Sequence, residues 1–420
     1  MVDAAASLAP ATSDLRERFR RKIALNADHY LRFVEAHRYD PQLLAREMAN
    51  IVKAAELALS EEGAWQSGIA LVESGQRLAE LRGHLGLWRA LTEQALAVCR
   101  RLAAAGLAEA AEHEGALLDN LGEIARTLGE TGAAKRYFEA ALERYRAIGR
   151  PAGVGRVLAH LSQVYLHTGD VLAADRCCAE AASVLAEDDL AELALLYNNW
   201  GLVTSRLRRT EEAQAHYRQA EALFARLGNV RGQAKVLNNL GQLYYEMGRP
   251  EAEAYFLRAL ELYRRLGDDP HAARTQVNLG AFYHDILGRT EHALQLHQAV
   301  EPVFRRLGDR LYQAHTKNNI GVFLADLGRR EEAREAYQQA AQLYLELDDR
   351  TSAAGALANL AEVLLDLGHQ SEAAASLVRA RTLLDGVDHP PRWVTTQFAA
   401  LAARLDPAAD GQTLEPQGGP

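Results

Sequence analysis

Apolar residues recur along this chain at i, i+3, i+4 and i+7 in one segment after another, which predicts a succession of amphipathic helices. Residues 194–228 show the unit. With each residue advancing about 100°, Tyr197, Trp200, Gly201 and Thr204 gather on one face, and the helix stops near Arg208-Arg209. A second helix follows with Ala213, Tyr217, Ala220 and Phe224 at helical spacing, and it ends at Leu227-Gly228-Asn229. In other units Gly129, Gly169, Gly248, Gly288, Gly328 and Gly368 close the first helix, as left-handed caps do. Acidic residues open the second helix: Glu211-Glu212, Glu251, Glu291, Glu331-Glu332 and Glu372. There they complement the positive end of the macrodipole. Each unit therefore reads as helix A, tight turn, helix B, tight turn.

The unit repeats seven times. Its signature on helix A is Asn120-Leu121-Gly122, His160-Leu161-Ser162, Asn199-Trp200-Gly201, Asn239-Leu240-Gly241, Asn278-Leu279-Gly280, Asn319-Ile320-Gly321 and Asn359-Leu360-Ala361. Successive third positions are 40, 39, 40, 39, 41 and 40 residues apart. Such regularity implies stacked units rather than one globular core. Glycine inside a helix costs about 0.5–1 kcal/mol relative to alanine, so its return at each period requires a close approach by a neighbouring helix. Repeat four is one residue short after Gly248, and repeat five has one extra before Gly288; both predict local kinks, not breaks.

These residues resemble the tetratricopeptide repeat family. The family pattern is matched most clearly by Leu237, Leu240, Gly241, Tyr244, Phe256 and Ala259, and by Leu118, Leu121, Gly122, Ala134, Phe138 and Ala141. Ala333, Tyr337 and Ala340 match its helix B half. The period exceeds the family's usual spacing of about 34. Gly-Asp or Gly-Asn replaces the proline that usually closes helix B, and Gln276 and Lys317 occupy a normally large apolar site. The long, Asn-rich variety looks like the repeats of kinesin light chains, spindle-orientation scaffolds and bacterial signal-transduction ATPases. The resemblance implies an all-α fold, a right-handed α-solenoid of antiparallel helix pairs.

The expected organisation is a disordered segment at 1–12, an N-terminal helical segment at 13–63, a degenerate helix pair at 64–106, seven repeats at 107–388, a capping helix at 389–405 and a disordered tail at 406–420. Pro41 suits the first position of a helix capped by Asp40. Trp393, Phe398, Leu401 and Leu405 are available to cover the last repeat. The run from His29-Tyr30 through Trp65 to Arg82-Gly83-His84 resembles the segment that opens the repeat arm of bacterial multidomain regulatory ATPases. The nucleotide-binding module of that class is not found, since GxxxxGK[ST] does not occur.

Composition agrees with helix: 48% of residues are hydrophobic and 7% aromatic. The 420 residues carry a formal net charge of −9, which disfavours nucleic acid as a partner. No apolar run is long enough for a membrane span, and the N-terminus lacks the basic region of a signal peptide. Cys99, Cys177 and Cys178 have no metal spacing and read as small buried side chains in a reducing cytoplasm. Among the 14 histidines, His292 and His297 fall on different helix faces for metal binding. GxSxG and HExxH do not occur. The expectation is a non-enzyme with no cofactor and no metal.

In tetratricopeptide proteins the exposed side of helix A lines a concave groove. Carried over by residue, that side holds Asn198, Asn238 and Asn318, then Gln242, then Tyr245 and Glu246 with Asp285, Asp326 and Asp366, and earlier Lys235 and Arg274. Asparagine both donates and accepts, so the doublets Asn198-Asn199, Asn238-Asn239 and Asn318-Asn319 could hold an extended peptide backbone. The alternative is that the recurrent Asn bonds within its own helix pair. The acidic row Glu246, Asp285, Asp326 and Asp366 sits where it opposes the macrodipole and hints at a basic ligand. Pairing with Arg249, Arg289 and Arg329 is the alternative. The leading expectation is a scaffold binding a peptide or protein segment. The second is a sensor or adaptor arm of a bacterial signalling system acting on a separate effector.

Overall fold

The computed structural model describes residues 9–37, 41–61, 63–75, 85–385 and 392–405. Among them the chain is all-α, a solenoid of helix pairs with no strand. In chain order the helices are α1 (Ala9–Ala36), α2 (Pro41–Ser60), α3 (Trp65–Ser74), α4 (Leu85–Ala104), α5 (Ala108–Thr127), α6 (Thr131–Ala147), α7 (Pro151–His167), α8 (Val171–Val184), α9 (Leu190–Arg206) and α10 (Thr210–Arg226). They continue as α11 (Val230–Glu246), α12 (Ala252–Arg265), α13 (Asp269–Asp285), α14 (Thr290–Arg306), α15 (Arg310–Asp326), α16 (Arg330–Glu346), α17 (Arg350–Asp366), α18 (Gln370–Leu384) and α19 (Arg392–Leu405). The expected cap at Asp40, the turn at Gly83 and the tail at 406–420 lie outside the described residues, as do residues 1–8. Residues 9–12 are already helical.

The chain divides into two compact units, 1–239 and 240–420. The first opens with α1, α2 and α3 packed on one another. Ile23, Ala27 and Val34 of α1 are buried in one core with Ile51, Ala55, Ile69 and Leu71. Thus α3, expected as half of a degenerate repeat with α4, also packs on both helices of the N-terminal segment. The pairs α5/α6, α7/α8 and α9/α10 follow. The second unit contains the pairs α13/α14, α15/α16 and α17/α18, with α19 laid on α17 and α18. Phe398 and Leu401 of α19 are buried.

The recurrent glycine is explained by the ring that faces it. A Cβ on Gly122 would lie 2.5 Å from Phe138, on Gly201 2.5 Å from Tyr217, on Gly241 2.6 Å from Phe256, on Gly280 2.5 Å from His297 and on Gly321 2.6 Å from Tyr337. Each of those rings stands at the same position of helix B. The two repeats without glycine also lack the ring: Ser162 faces Cys178, and the corresponding pair is Ala361 and Leu377, both buried. Small and large residues therefore exchange as pairs.

The turns are equally regular. Gly129, Gly169, Gly248, Gly288, Gly328 and Gly368 all have positive φ, but Arg208 takes the same conformation at φ 61° in repeat three. The extra residue before Gly288 is absorbed by a wider turn. Arg289 N–H reaches back to Tyr283 O, and Gly288 N–H to His284 O, each one residue further than its counterpart at Gly248 or Gly328. The Asp or Asn after the left-handed residue that closes helix B, a glycine or in one repeat Asp348 at φ 56°, has a role of its own. Asp268, Asp309 and Asp349 cap the next helix A by accepting from His271, Tyr312 and Ser352 N–H. Asn229 Oδ1 accepts from Gly232 N–H at 2.9 Å in the same way.

Candidate binding surface on the first helices of the repeats

The signature residues Asn199, Asn239 and Asn359 join consecutive A helices, whereas Asn319 Nδ2 lies 3.4 Å from His297 Nε2 of α14. Asn199 on α9 donates to the Ala159 carbonyl on α7 at 2.9 Å, and its Oδ1 accepts from Gln163 at 2.7 Å. Asn239 Nδ2 donates to Asn198 Oδ1 at 2.9 Å. In the second unit Asn359 Nδ2 lies 3.5 Å from Asn318 Oδ1, and Gln397 of α19 donates to Asn359 Oδ1 at 2.8 Å. These bonds cross between repeats, not within one helix pair as expected.

Repeat two carries His160 in the Asn position and turns the same joint into a charged one. His160 Nδ1 lies 2.8 Å from Asp119 Oδ1, while Arg156 Nε donates to Asp119 Oδ2 at 2.9 Å and its terminal nitrogen donates to Tyr145 Oη at 2.8 Å. Burial alone would push the His160 pKa down and the Asp119 pKa up. Their mutual attraction outweighs it, so His160 is raised, with Glu123 contributing, and Asp119 is lowered, with Arg156 contributing. Asp119 and His160 are both buried. The sequence pattern concealed this cluster, because His160 looked like one degenerate asparagine.

In the second unit the ends of successive A helices are tied through side chains. Tyr245 Oη donates to the Asp285 carboxylate. His284 Nε2 lies 3.7 Å from Asp285 and 3.2 Å from Asp326 Oδ2, and its Nδ1 lies 3.2 Å from Thr290 Oγ1. Burial, then the Asp285 carboxylate, push the Tyr245 pKa well up. The Asp285 and Asp326 side chains are 46% and 56% exposed, so the row faces solvent. The arginines expected to neutralise it pair elsewhere: Arg249 with Glu251, Arg289 with Glu253 and Arg329 with Glu332. Asp366 is held by Arg404 and Arg330, which lower its pKa.

The structure distributes the remaining expected residues unevenly. Asn198 is buried, 1% exposed, and its amide both donates to Asn199 and accepts from Asn239. It is a joint between helices rather than a free surface. Asn238 and Asn318 are half-buried, while Lys235 and Glu246 are exposed. Gln242 is half-buried and donates to Glu246 at 3.2 Å. Arg274 donates to buried Asp309 at 3.0 Å and lies over the Tyr312 ring at 4.4 Å, which fixes it against α15. Lys317, at a normally apolar site, lies 3.8 Å from Glu301. Cys99 and Cys178 are buried and Cys177 is half-buried; burial pushes the Cys177 thiol up to about 11. Among the described residues no three His, Cys, Asp or Glu side chains come together to hold a metal ion, and no helix is long and apolar enough to cross a membrane.

Stacked helix pairs, a small residue against a ring in each pair and side-chain joints between first helices define a helical-repeat protein of the kind that mediates protein–protein interaction. Models described as tetratricopeptide repeat match residues 192–251, 232–306 and 312–385, and a further one matches 115–148. The chain belongs to the tetratricopeptide repeat family. A search of curated proteins found no match. Among solved structures, the chain is similar to a Signal Transduction ATPase with Numerous Domains protein with a tetratricopeptide repeat sensor from Pyrococcus horikoshii. That likeness has a TM-score of 0.59 at 13% identity and covers 90% of this chain and 62% of that one. A Rap protein complexed with competence and sporulation factor gives 0.57 at 15% identity, covering 90% of this chain and 99% of that one. The apo form of RapI gives 0.57 at 16% identity, covering 71% and 83%. At these identities the likeness shows the fold.

Proposed function

We propose that this protein is a non-catalytic interaction module that holds an extended, cation-bearing protein segment against the exposed side of its first helices. The observation that carries the reading is the solvent-facing row in the second unit. Tyr245, Asp285 and Asp326 stand on successive A helices, linked through His284, and the neighbouring arginines are engaged elsewhere. Gln242, Glu246 and half-buried Asn318 flank that row with amide and carboxylate groups suited to a peptide backbone and its charges. Asn238 offers a similar amide in the first unit and Lys235 a positive charge, whereas Asn198 and Arg274 act by holding the helices. Recovery of partners from the native host by cross-linking and quantitative mass spectrometry tests this. An Asp285→Ala/Asn318→Ala/Asp326→Ala variant should lose at least about tenfold of the captured partner. Equal capture by wild type and variant sinks the proposal.

A second reading, a sensor or adaptor arm of a signalling system acting on a separate effector, is favoured by the match of 90% of the chain to a repeat sensor of a signal-transduction ATPase. Its test is genetic. An ATPase, protease or sigma-factor gene beside this one, whose product co-purifies with the protein, supports it. Neighbouring genes whose products never co-purify count against it.

A further inference from the structure

The apolar stripe of α1 continues past the helices that cover it. Leu15, Phe19, Ile23 and Ala27 follow one another at i, i+4 spacing, and Val34 lies on the same face. Ile23, Ala27 and Val34 are 6%, 0% and 3% exposed, in the core shared with α2 and α3. Leu15 and Phe19, on the same stripe two and one turns earlier, are 65% and 56% exposed. An aromatic side chain carries a large apolar area; Phe19 leaves more than half of its own in water, at the open end of a seam that is dry further along.

The surroundings of that seam are strongly cationic. Residues 15–22 read Leu-Arg-Glu-Arg-Phe-Arg-Arg-Lys, with five cations and one carboxylate, in a chain whose net charge is −9. All eight of those residues are exposed. On the helical wheel Arg18 and Lys22 border the Leu15–Phe19 stripe on one side and Arg16 borders it on the other. Arg20 lies 3.5 Å from Glu61, which follows α2, while its side chain remains 46% exposed.

We propose that this end of α1 is a docking surface for an acidic amphipathic helix of a partner protein, which extends the α1–α3 bundle by one helix. Seam continuity sets the shape of the occupant. The inner half of the stripe is covered by helices, so the outer half suits an apolar face with the same spacing. The cationic borders set its charge, since acidic residues flanking its apolar face would meet Arg18, Lys22 and Arg16. A second copy pairing through the same segment would bring two cationic surfaces together. A bilayer would receive only two large apolar side chains, too little for firm insertion. The proposal is independent of the A-helix surface in the second unit.

The test uses the full chain and a fluorescent helical peptide with leucines at i, i+3 and i+4 bordered by glutamates, read by anisotropy. A peptide of the same composition with the leucines scattered is the control. Binding of the patterned peptide at least about tenfold tighter than the control is expected, with loss of at least about tenfold for Leu15→Ser/Phe19→Ser and again for Arg18→Glu/Lys22→Glu. These positions are exposed, and unchanged far-UV circular dichroism will confirm that the variants fold. Equal affinity for both peptides, or patterned binding that survives both variants, overturns the proposal. So does concentration-dependent dimerisation abolished by Leu15→Ser/Phe19→Ser, or co-sedimentation with phosphatidylglycerol vesicles abolished by it. Loss of the A-helix surface through Asp285→Ala/Asp326→Ala should leave this binding unchanged, which separates the two sites.

Discussion

Adding one methyl group to Gly241 tests the packing rule that builds the repeats. Alanine in place of a helical glycine normally stabilises by about 0.5–1 kcal/mol, because it restricts the unfolded chain. Here the new Cβ would lie 2.6 and 2.7 Å from Phe256 Cδ1 and Cε1, against about 3.5–4.0 Å for a relaxed carbon contact. Phe256 is fully buried, so the ring must be displaced by about 1 Å among close-packed neighbours, and overpacking of this kind costs about 1–3 kcal/mol. The propensity gain offsets only part of that. We expect Gly241→Ala to destabilise by about 1–2 kcal/mol. Phe256→Leu alone should cost about 1–2 kcal/mol through the space it leaves. The double variant copies the Ala361 and Leu377 pairing, so it should be less destabilised than the sum by about 1 kcal/mol or more. Urea denaturation followed by far-UV circular dichroism measures all four proteins. A Gly241→Ala protein more stable than wild type, or strictly additive effects, would refute the reasoning.

Other substitutions probe the turns and joints. Arg208→Gly should raise the melting temperature, equivalent to about 1 kcal/mol, because the left-handed φ of 61° strains any residue with a Cβ; a fall would count against this account of the turn. Asn199→Ala should cost about 1–3 kcal/mol by leaving the Ala159 carbonyl and Gln163 without their partner, read as a lower urea midpoint. The His160 pKa is raised above its usual 6.5, so its contribution is complete below 6.5 and is lost as pH rises through the raised value. Asp119 is shifted the opposite way: its contribution is present above the ordinary carboxylate range and is lost as pH falls through the lowered value. His160→Gln should therefore remove a loss of stability on the alkaline side of 6.5, measured as melting temperature against pH; an unchanged profile there would show that the cluster is not coupled to folding.

The repeat was legible because its packing recurs. Gly122, Gly201, Gly241, Gly280 and Gly321 meet the same kind of ring at the same place, so the sequence repeats what the geometry repeats. Single departures were harder to interpret. Arg208 hides a glycine-like turn, because a conformation leaves no trace in one residue's identity. Asp268, Asp309 and Asp349 follow the end of helix B in sequence but belong to the start of the next helix A. The partners of the acidic row were misjudged for a spatial reason. Arg249, Arg289 and Arg329 are close to it along the chain, yet each reaches a glutamate in or just before a helix B instead.

The asparagine doublets show how a repeat protein can conceal a structural code inside an apparent binding motif. The residue before the signature position accepts from the signature position of the next repeat: Asp119 with His160, Asn198 with Asn239 and Asn318 with Asn359, each 41 residues apart. Where that residue is Ala159, the backbone carbonyl accepts instead. A first member able to accept, Asp or Asn, thus accompanies a following residue able to donate, His or Asn. These bonds give Asn198 and Asn318 a role between helices that needs no ligand. It also sharpens where recognition can act. Asn198 is fully enclosed, so a partner meets instead the half-buried Asn318 and the exposed carboxylates at the helix ends. Substituting Asn198 should therefore lower stability, whereas substituting Asp285 or Asp326 should lower affinity and leave the melting temperature nearly unchanged.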